Sequence, residues 1–400
     1  MRIRKTLWSS DMEPLVAIMA VLLVLGTINV FSSSFVLATT DFNNPYYFLI
    51  RHVIWLVLGV CVCFVLSRTN YHRWQSPMAT MGFFLIVAAL LALVLAVGVS
   101  VNGAKRWISF GGFSLQPAEF AKLVGIIFAA KYLTIRMKLQ QKATILRGPT
   151  YWLLLILFVL VELEPDMGTA CIVLGIPILM AIIVGMHGSE LKGIIVIGTA
   201  LASAMIAWQP YRLQRIKTML DPWADAQGTG YQTVQSLSTI GSGGFFGMGL
   251  GDGVSKYEYL PEAHTDFAFA IFAQEHGYIG ALMVFLLFFL LVLCCARVAA
   301  RAKDAYGQVL AMGVMLLVAG QAVANLLMVA GIGPVVGVPL PFISYGGSSL
   351  IVTMMAMGIL LNICKQGEAH QHFRKLEAEK EKRETEKARQ DDPARLYRVK

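Results

Sequence analysis

Charge is scarce in this sequence. Asp, Glu, Lys and Arg make up 14% of its 400 residues while 57% are apolar, whereas a soluble domain carries about 25% charge. That balance excludes an ordinary soluble enzyme before any motif is read. Cysteine contributes little: Cys61, Cys63, Cys171, Cys294, Cys295 and Cys364 fall within or at the ends of apolar runs, where they act as small hydrophobes and form no disulfide framework. The first apolar run is long and lacks a small-residue cleavage site, so it reads as a retained span rather than a leader. No spacing of His, Cys, Asp and Glu marks a metal site. The glycine-rich run at 241–251 lacks the Gly-Lys-Ser/Thr ending of a phosphate loop and follows no strand. Its bare backbone could still approach a sugar or phosphate closely.

Long apolar runs are what the chain has in quantity. A helix needs roughly 20 apolar residues to cross a bilayer core, and such runs lie near 14–37, 48–67, 78–99, 117–135, 150–163, 169–186, 191–208, 267–296, 308–330 and 343–363. The expected fold is therefore an all-α polytopic membrane protein of about ten transmembrane helices. One membrane domain spans 1–364, and a charged tail with Glu and Lys/Arg at helical spacing spans 365–400. The net charge of +9 resides mostly in short loops and the tail, which argues against a nucleic-acid surface. Arg2, Arg4 and Lys5, Arg68 and Arg73, Lys131 to Arg147, and Arg297 to Lys303 all fall on one side of the bundle. Cations in short loops stay cytoplasmic, so both termini are expected in the cytoplasm.

The connection 209–266, between spans seven and eight, then faces outward and far exceeds the other loops. Loops of that length in a compact protein are commonly functional. An amphipathic stretch at 211–220 suits the membrane interface. The loop ends in Lys256, Glu258, Glu262, His264 and Asp266, with Asp266 where a helix cap or first-turn residue would stand. A cap is one reading of Asp266; the other is a general base taking a proton from an attacking hydroxyl. An enzyme facing outward meets no nucleoside triphosphate and needs a pre-activated substrate such as a lipid pyrophosphate. Arg212, Arg215 and Lys217, with Lys105 and Arg106 in the loop after span three, supply cations for one. Within the spans, Glu119 and Lys122 share a helix face, and Glu164 and Asp166 sit at the outer boundary. Charges at such depth form internal pairs or handle substrate and protons. The irregular stretch 331–349, with Ser344 and Ser348, reads as a wall of the outer site.

Four stretches in order resemble the SEDS family of shape, elongation, division and sporulation proteins, which includes RodA, FtsW and SpoVE. They are Asn102-Gly103-Ala104-Lys105-Arg106-Trp107-Ile108 with Gln116-Pro117-Ala118-Glu119, then Glu164-Pro165-Asp166-Met167-Gly168-Thr169-Ala170, then Tyr259-Leu260-Pro261-Glu262-Ala263-His264-Thr265-Asp266-Phe267, and Pro339-Leu340-Pro341 through Ser349. The third leans toward the division branch. Val335-Val336-Gly337-Val338-Pro339-Leu340-Pro341 resembles the elongation branch and has Val336 where many division proteins carry Lys before the glycine.

The resemblance implies a peptidoglycan glycosyltransferase in the bacterial cytoplasmic (inner) membrane that polymerises lipid II on the outer face and releases undecaprenyl pyrophosphate. Asp266 matches the family's essential aspartate, and Glu258 a position implicated in control. The expected substrate site is Lys105, Arg106, Trp107, Gln116, Glu119, Lys122, Asp166, Arg212, Arg215, Glu258, His264, Ser344 and Ser348 around Asp266. The resemblance further implies a class B penicillin-binding protein as partner, alongside membrane lipid. A divalent cation (Mg or Mn) beside the pyrophosphate is compatible with it. Two other function classes compete: a lipid II flippase, with Glu119, Lys122 and Asp166 as its pathway, and a non-catalytic scaffold of the cell-wall complex.

Overall fold

A computed structural model describes residues 10–101, 104–110, 113–144, 148–208, 210–257 and 259–391. The elements run α1 (Met12–Phe42), α2 (Tyr47–Arg68), α3 (Pro77–Val97), a hairpin-like sheet of β1 (Val99–Val101), β2 (Ala104–Phe110) and β3 (Phe113–Leu115), α4 (Pro117–Lys138), α5 (Pro149–Leu163), α6 (Met167–Gly185), α7 (Gly188–Trp208), α8 (Pro210–Leu220), α9 (Tyr231–Ser242), α10 (Ala268–Ala300), α11 (Ala305–Val329) and α12 (Gly347–Asp391). Seven of these helices are long and apolar enough to cross a membrane, α1, α2, α3, α6, α10, α11 and α12 among the described residues. The protein is a multi-pass membrane protein. Every expected span coincides with a helix, although α5 is short and α4 carries Glu119 and Lys122 on its inner face.

Local sequence explains where the helices start. Pro stands in the first turn of α3, α4 and α5, where its missing N–H has no intrahelical partner to lose. Ser76, Asp166 and Asp304 accept a first-turn N–H at the starts of α3, α6 and α11. The core lies where α4, α6 and α11 pack together, with Leu123, Ile126, Ile127, Met180, Val314 and Leu317 fully enclosed. By contrast α2, α3 and the second half of α10 present Val57, Phe64, Leu85, Ile86, Phe285 and Phe289 outward, a distribution suited to lipid.

Three features depart from the sequence expectation. The loop after span three is a three-stranded antiparallel sheet in the order β1-β2-β3. The last span does not end at 364 but runs on as one helix into the charged tail, because Glu, Lys and Arg are good helix formers and no Gly or Pro interrupts between 368 and 391. The eighth span is broken at Gly277, whose φ of 67° and ψ of −165° are non-helical.

The glycine-rich run repairs that break. Met248 and Gly249 donate their N–H groups to the carbonyls of Gln274 and Glu275 (3.0 and 3.1 Å), and Tyr278 and Ile279 donate to the carbonyls of Gly244 and Phe245 (3.0 and 3.3 Å). A backbone opened at membrane depth needs such partners, since lipid offers none. Glycine is needed on both sides: a Cβ at Gly247 would lie 2.1 Å from the Glu275 oxygen, and one at Gly277 would lie 2.3 Å from the Gly247 nitrogen. The run is thus occupied in structure, which corrects the expectation that its backbone is free to approach a sugar or phosphate.

Candidate active site

The connections after α3, α5, α7 and α11 meet at one end of the bundle, and they bring the sequence motifs together around Asp266. That residue does not cap α10. The N-cap position is Phe267, and no side chain caps the helix there. The Asp266 backbone is instead held by Asn325 of α11, whose side-chain amide donates to the carbonyls of Asp266 (2.7 Å) and Val338 (2.8 Å). Asn325 thereby fastens the end of the long loop to the irregular stretch after α11. The Gly337 backbone, at φ 67°, passes so near the carboxyl that a Cβ there would sit 3.4 Å from Asp266 Oδ2.

The Asp266 side chain is partly exposed, and its carboxyl is pushed from 3.8 up to about 7. Burial is the main cause, followed by the like charges of Glu262 and Asp166, and the guanidinium groups of Arg106 and Arg215 oppose them. Asp266, Glu262, Asp166, Arg106 and Arg215 therefore share one electrostatic environment. A carboxyl near neutrality can hold or release a proton at physiological pH, which suits a general base.

Each neighbour is positioned by its own element. Arg106, on β2, donates through Nε to the Glu164 carbonyl (3.2 Å) and through a terminal nitrogen to the Pro165 carbonyl, which joins the sheet to the turn between α5 and α6. Asp166 accepts the Thr169 N–H (3.2 Å) at the start of α6 and the Gln116 side-chain amide (2.9 Å). Gln116 in turn donates its backbone N–H to Ser348 Oγ (2.9 Å), tying the starts of α4 and α12. Arg215 on α8 donates to the Val335 carbonyl. Gly168 packs so closely beneath the stretch after α11 that a Cβ would lie 2.3 Å from the Val336 oxygen.

The remaining expected residues take other places. Lys105 is exposed on β2 and Trp107 is half-buried. His264 packs its ring between Phe48 (centroids 4.7 Å apart) and Tyr345 (5.7 Å), and burial holds its pKa below the ordinary value, so the ring is neutral. Ser344 Oγ accepts the Leu340 N–H (2.9 Å) and closes a turn. Glu119 and Lys122 form a buried ion pair at 2.7 Å inside the bundle, and no hydrogen bond among the described residues links them to Asp266. Glu258 and the Arg212 side chain lie outside the described residues.

Asn325 escaped the sequence reading, since an Asn on a span is ordinarily read as an interhelical contact, whereas Glu164 at the outer boundary and Lys256 at the end of the loop stand where the sequence puts them but in surroundings it does not show. Glu164 is fully buried, and neither of its carboxyl oxygens has a partner among the described residues. Burial and Asp166 push it from 4.5 to about 8. Lys256 and Glu275 form a buried pair at 3.1 Å, with Ser32 Oγ donating to Glu275 (2.5 Å), which locks α1, the turn at Val254–Lys256 and the first half of α10 together. Among the described residues no three His, Cys, Asp or Glu side chains converge as metal ligands.

Comparison with known proteins gives the family of the chain. The family model described as cell cycle protein, covering FtsW, RodA and SpoVE, matches residues 13–369. The chain belongs to that family. It is 38% identical over 356 residues to stage V sporulation protein E of Bacillus subtilis, covering 88% of this chain and 96% of that protein. It is 39% identical over 352 residues to the probable peptidoglycan glycosyltransferase FtsW of Geobacter metallireducens, covering 87% and 93%. Among solved structures, one chain comes from work on the structural coordination of polymerization and crosslinking by a peptidoglycan synthase complex. It superposes with a TM-score of 0.70 at 29% identity, over 88% of this chain and 97% of that one. The rod shape determining protein RodA of Thermus thermophilus superposes with a TM-score of 0.62 at 28% identity, over 88% and 95%.

Proposed function

We propose that this FtsW/RodA/SpoVE-family chain is an inverting peptidoglycan glycosyltransferase that polymerises lipid II at the outer face of the bacterial cytoplasmic membrane. Ten helices span the bilayer in this reading, with both termini cytoplasmic and the 209–266 connection outside. The observation that carries it is the Asp266 carboxyl, poised near neutrality, free of any capping role and flanked by two arginines.

Asp266 takes the proton from the 4-hydroxyl of the N-acetylglucosamine of an incoming lipid II. The oxygen attacks the anomeric carbon of the lipid-linked N-acetylmuramic acid, the bond from that carbon to the pyrophosphate oxygen breaks, and undecaprenyl pyrophosphate departs with the electron pair. Attack opposite the leaving group converts an α-linked donor to a β-linked strand, following the geometry of inverting glycosidases with a sugar hydroxyl in place of water. Arg106 and Arg215 oppose the carboxylates electrically and offer the developing pyrophosphate charge a cationic edge.

The partner in this reading is a class B penicillin-binding protein, in keeping with the synthase complex among the structural relatives. The test is incubation of purified wild type and Asp266→Ala, each with a cognate partner, with lipid II and separation of products by gel. Polymer from wild type alone supports the assignment, and equal polymer from both removes Asp266 from it. The buried Glu119–Lys122 pair is the one observation that favours a flippase; lipid II crossing vesicles without any polymer would promote that reading.

A further inference from the structure

One cation at the outer end of the bundle belongs to none of the four motifs. Arg51 lies in the second turn of α2. Phe48, one turn before it, packs on the His264 ring (centroids 4.7 Å apart) and on Tyr345 (5.4 Å), and the Tyr345 N–H donates to the His264 carbonyl (2.9 Å). These contacts join the start of α2 to the segment that ends in Asp266. The Arg51 guanidinium carbon stands 4.2 Å from the centre of the Tyr47 ring and 5.8 Å from that of Phe113 on β3, and the group reaches the Tyr345 hydroxyl. It therefore occupies a seam where α2, the sheet and the residues before α12 meet. Trp55, one turn further along α2, closes the seam from below: it packs edge-on to Phe113 (5.5 Å), and a Cβ at Gly347 would lie 2.3 Å from its indole nitrogen.

Lipid adjoins this seam, since Ile50, Val53, Ile54 and Val57 of α2 are exposed. A cation in such company is costly without an anionic partner. Among the described residues no ion pair includes Arg51. The ring contacts engage its charge but leave N–H donors for another partner. Phosphate is the anion that lipids bring to the edge of a bilayer, and a guanidinium binds it through two parallel hydrogen bonds. Two lipid sources carry that group: an ordinary phospholipid headgroup and the pyrophosphate of a lipid-linked sugar. A snorkelling Arg that served ordinary headgroups would extend along the lipid face, whereas this one is turned onto Phe113 and Tyr345, in the wall of the site.

Arg106 and Arg215 act on the Asp266 carboxyl and Arg51 does not, so a phosphate at Arg51 stands off from the reacting hydroxyl. An acceptor has that arrangement, because its attacking 4-hydroxyl and its own pyrophosphate lie at opposite ends of a disaccharide. The leaving pyrophosphate is joined to the attacked carbon and falls instead to Arg106 and Arg215. We infer that Arg51 seats the pyrophosphate of the acceptor lipid, which enters sideways from the outer leaflet along the seam between α2 and β3. The inference rests on the polymerase reading and gives the site two pyrophosphate seats, one for each substrate.

Native mass spectrometry of the full-length protein in detergent, with undecaprenyl pyrophosphate or phosphatidylglycerol added, reads the seat without turnover. Wild type is expected to bind two undecaprenyl pyrophosphates and Arg51→Gln one, with phosphatidylglycerol bound equally by both. The same number of undecaprenyl pyrophosphates on the two proteins overturns the seat. A matching loss of phosphatidylglycerol assigns Arg51 to ordinary headgroups and overturns it too. In polymerisation assays Arg51→Gln is expected to raise KM for lipid II about tenfold, equivalent to about 1.4 kcal/mol, without moving the acidic limb of the pH profile. A lower kcat at unchanged KM would mark a mere staple between α2 and the sheet, and the seat would fall. Should Arg51→Gln not fold, Arg51→Lys keeps a cation over Tyr47 but lacks the planar fork, so Tm is expected to hold while KM rises about threefold; an unchanged KM overturns the seat. Loss of one bound pyrophosphate lipid on Arg51→Gln, in a protein whose wild type makes no polymer, would sink the polymerase reading and leave the seat standing. Polymer formed at equal rates by wild type and Arg51→Gln at low lipid II would do the reverse.

Discussion

The ionisation of Asp266 makes a quantitative demand on the pH profile of polymerisation. Its carboxyl stands at about 7 instead of 3.8, a gap equivalent to roughly 4 kcal/mol favouring the neutral form. A general base works only when ionised, so kcat/KM for lipid II rises with pH and is half-maximal near 7. At pH 6 about a tenth of the enzyme is active, and at pH 5 about a hundredth, from the titration relation alone. An unperturbed Asp would leave the rate flat across that range. Glu262 is the strongest of the like charges acting on it, and its side chain is exposed and accepts from Thr265 Oγ (2.8 Å). Glu262→Gln keeps an acceptor oxygen for Thr265 and removes the charge, so the acidic limb moves down from 7 toward 3.8. The assay is the initial rate of strand formation at low lipid II from pH 5 to 9, in both proteins. An acidic limb below pH 5 in wild type, or one at the same pH in Glu262→Gln, would refute the assignment of base and of its tuning.

Other consequences can be measured without substrate. Glu164 is neutral in the fold up to about 8, so the folded state binds more protons than the unfolded one between about 4.5 and 8, and stability falls as pH rises through that window. Glu164→Gln, which mimics the neutral acid, is expected to flatten the pH dependence of Tm above pH 6. Lys256→Met leaves Glu275 buried without its cation and is expected to destabilise by about 3–5 kcal/mol, seen as a lower Tm, with Lys256→Met/Glu275→Leu recovering most of the loss. Gly277→Ala sets a Cβ against the Gly247 nitrogen at 2.3 Å and is expected to abolish accumulation of folded protein in the membrane, whereas Gly82→Ala, with open space at that position, leaves it unchanged by immunoblot.

Much of this architecture was legible because lipid imposes a simple rule: every run that crosses must be apolar and helical, and the ten runs found on that basis all became helices. Motif order along the chain was equally legible, and alternation of the spans put the four motifs at one end. The break at Gly277 was not. Nothing in the local composition of α10 distinguishes a helix interrupted by glycine from one that tolerates it, and the repair comes from residues 244–249, some thirty positions upstream. The same run looked available for ligand only because its partners were out of sight. The raised proton affinity of Glu164 and the use of Asn325 were invisible for a related reason: a carboxyl acquires its proton, and an amide its two carbonyl partners, only when distant elements close over them.

The way Asp266 is held has a mechanical implication. Its backbone is fixed from one side, by Asn325 on α11 and by the half-helix of α10 that the Lys256–Glu275 pair fastens to α1. The charges that tune its carboxyl come from the other side, through Arg106 on the sheet, Asp166 at the start of α6 and Arg215 on α8. These two sets are joined chiefly by backbone contacts of the stretch after α11, where Val335 accepts from Arg215, Val336 rests on Gly168 and Val338 shares Asn325 with Asp266. A displacement of that stretch alters the separation between base and tuning charges without moving either set internally, and Coulomb energies inside a protein change steeply with separation at short range. On the proposed reading, a shift of residues 335–338 would by itself change the proton affinity of that one carboxyl without any unfolding of the bundle.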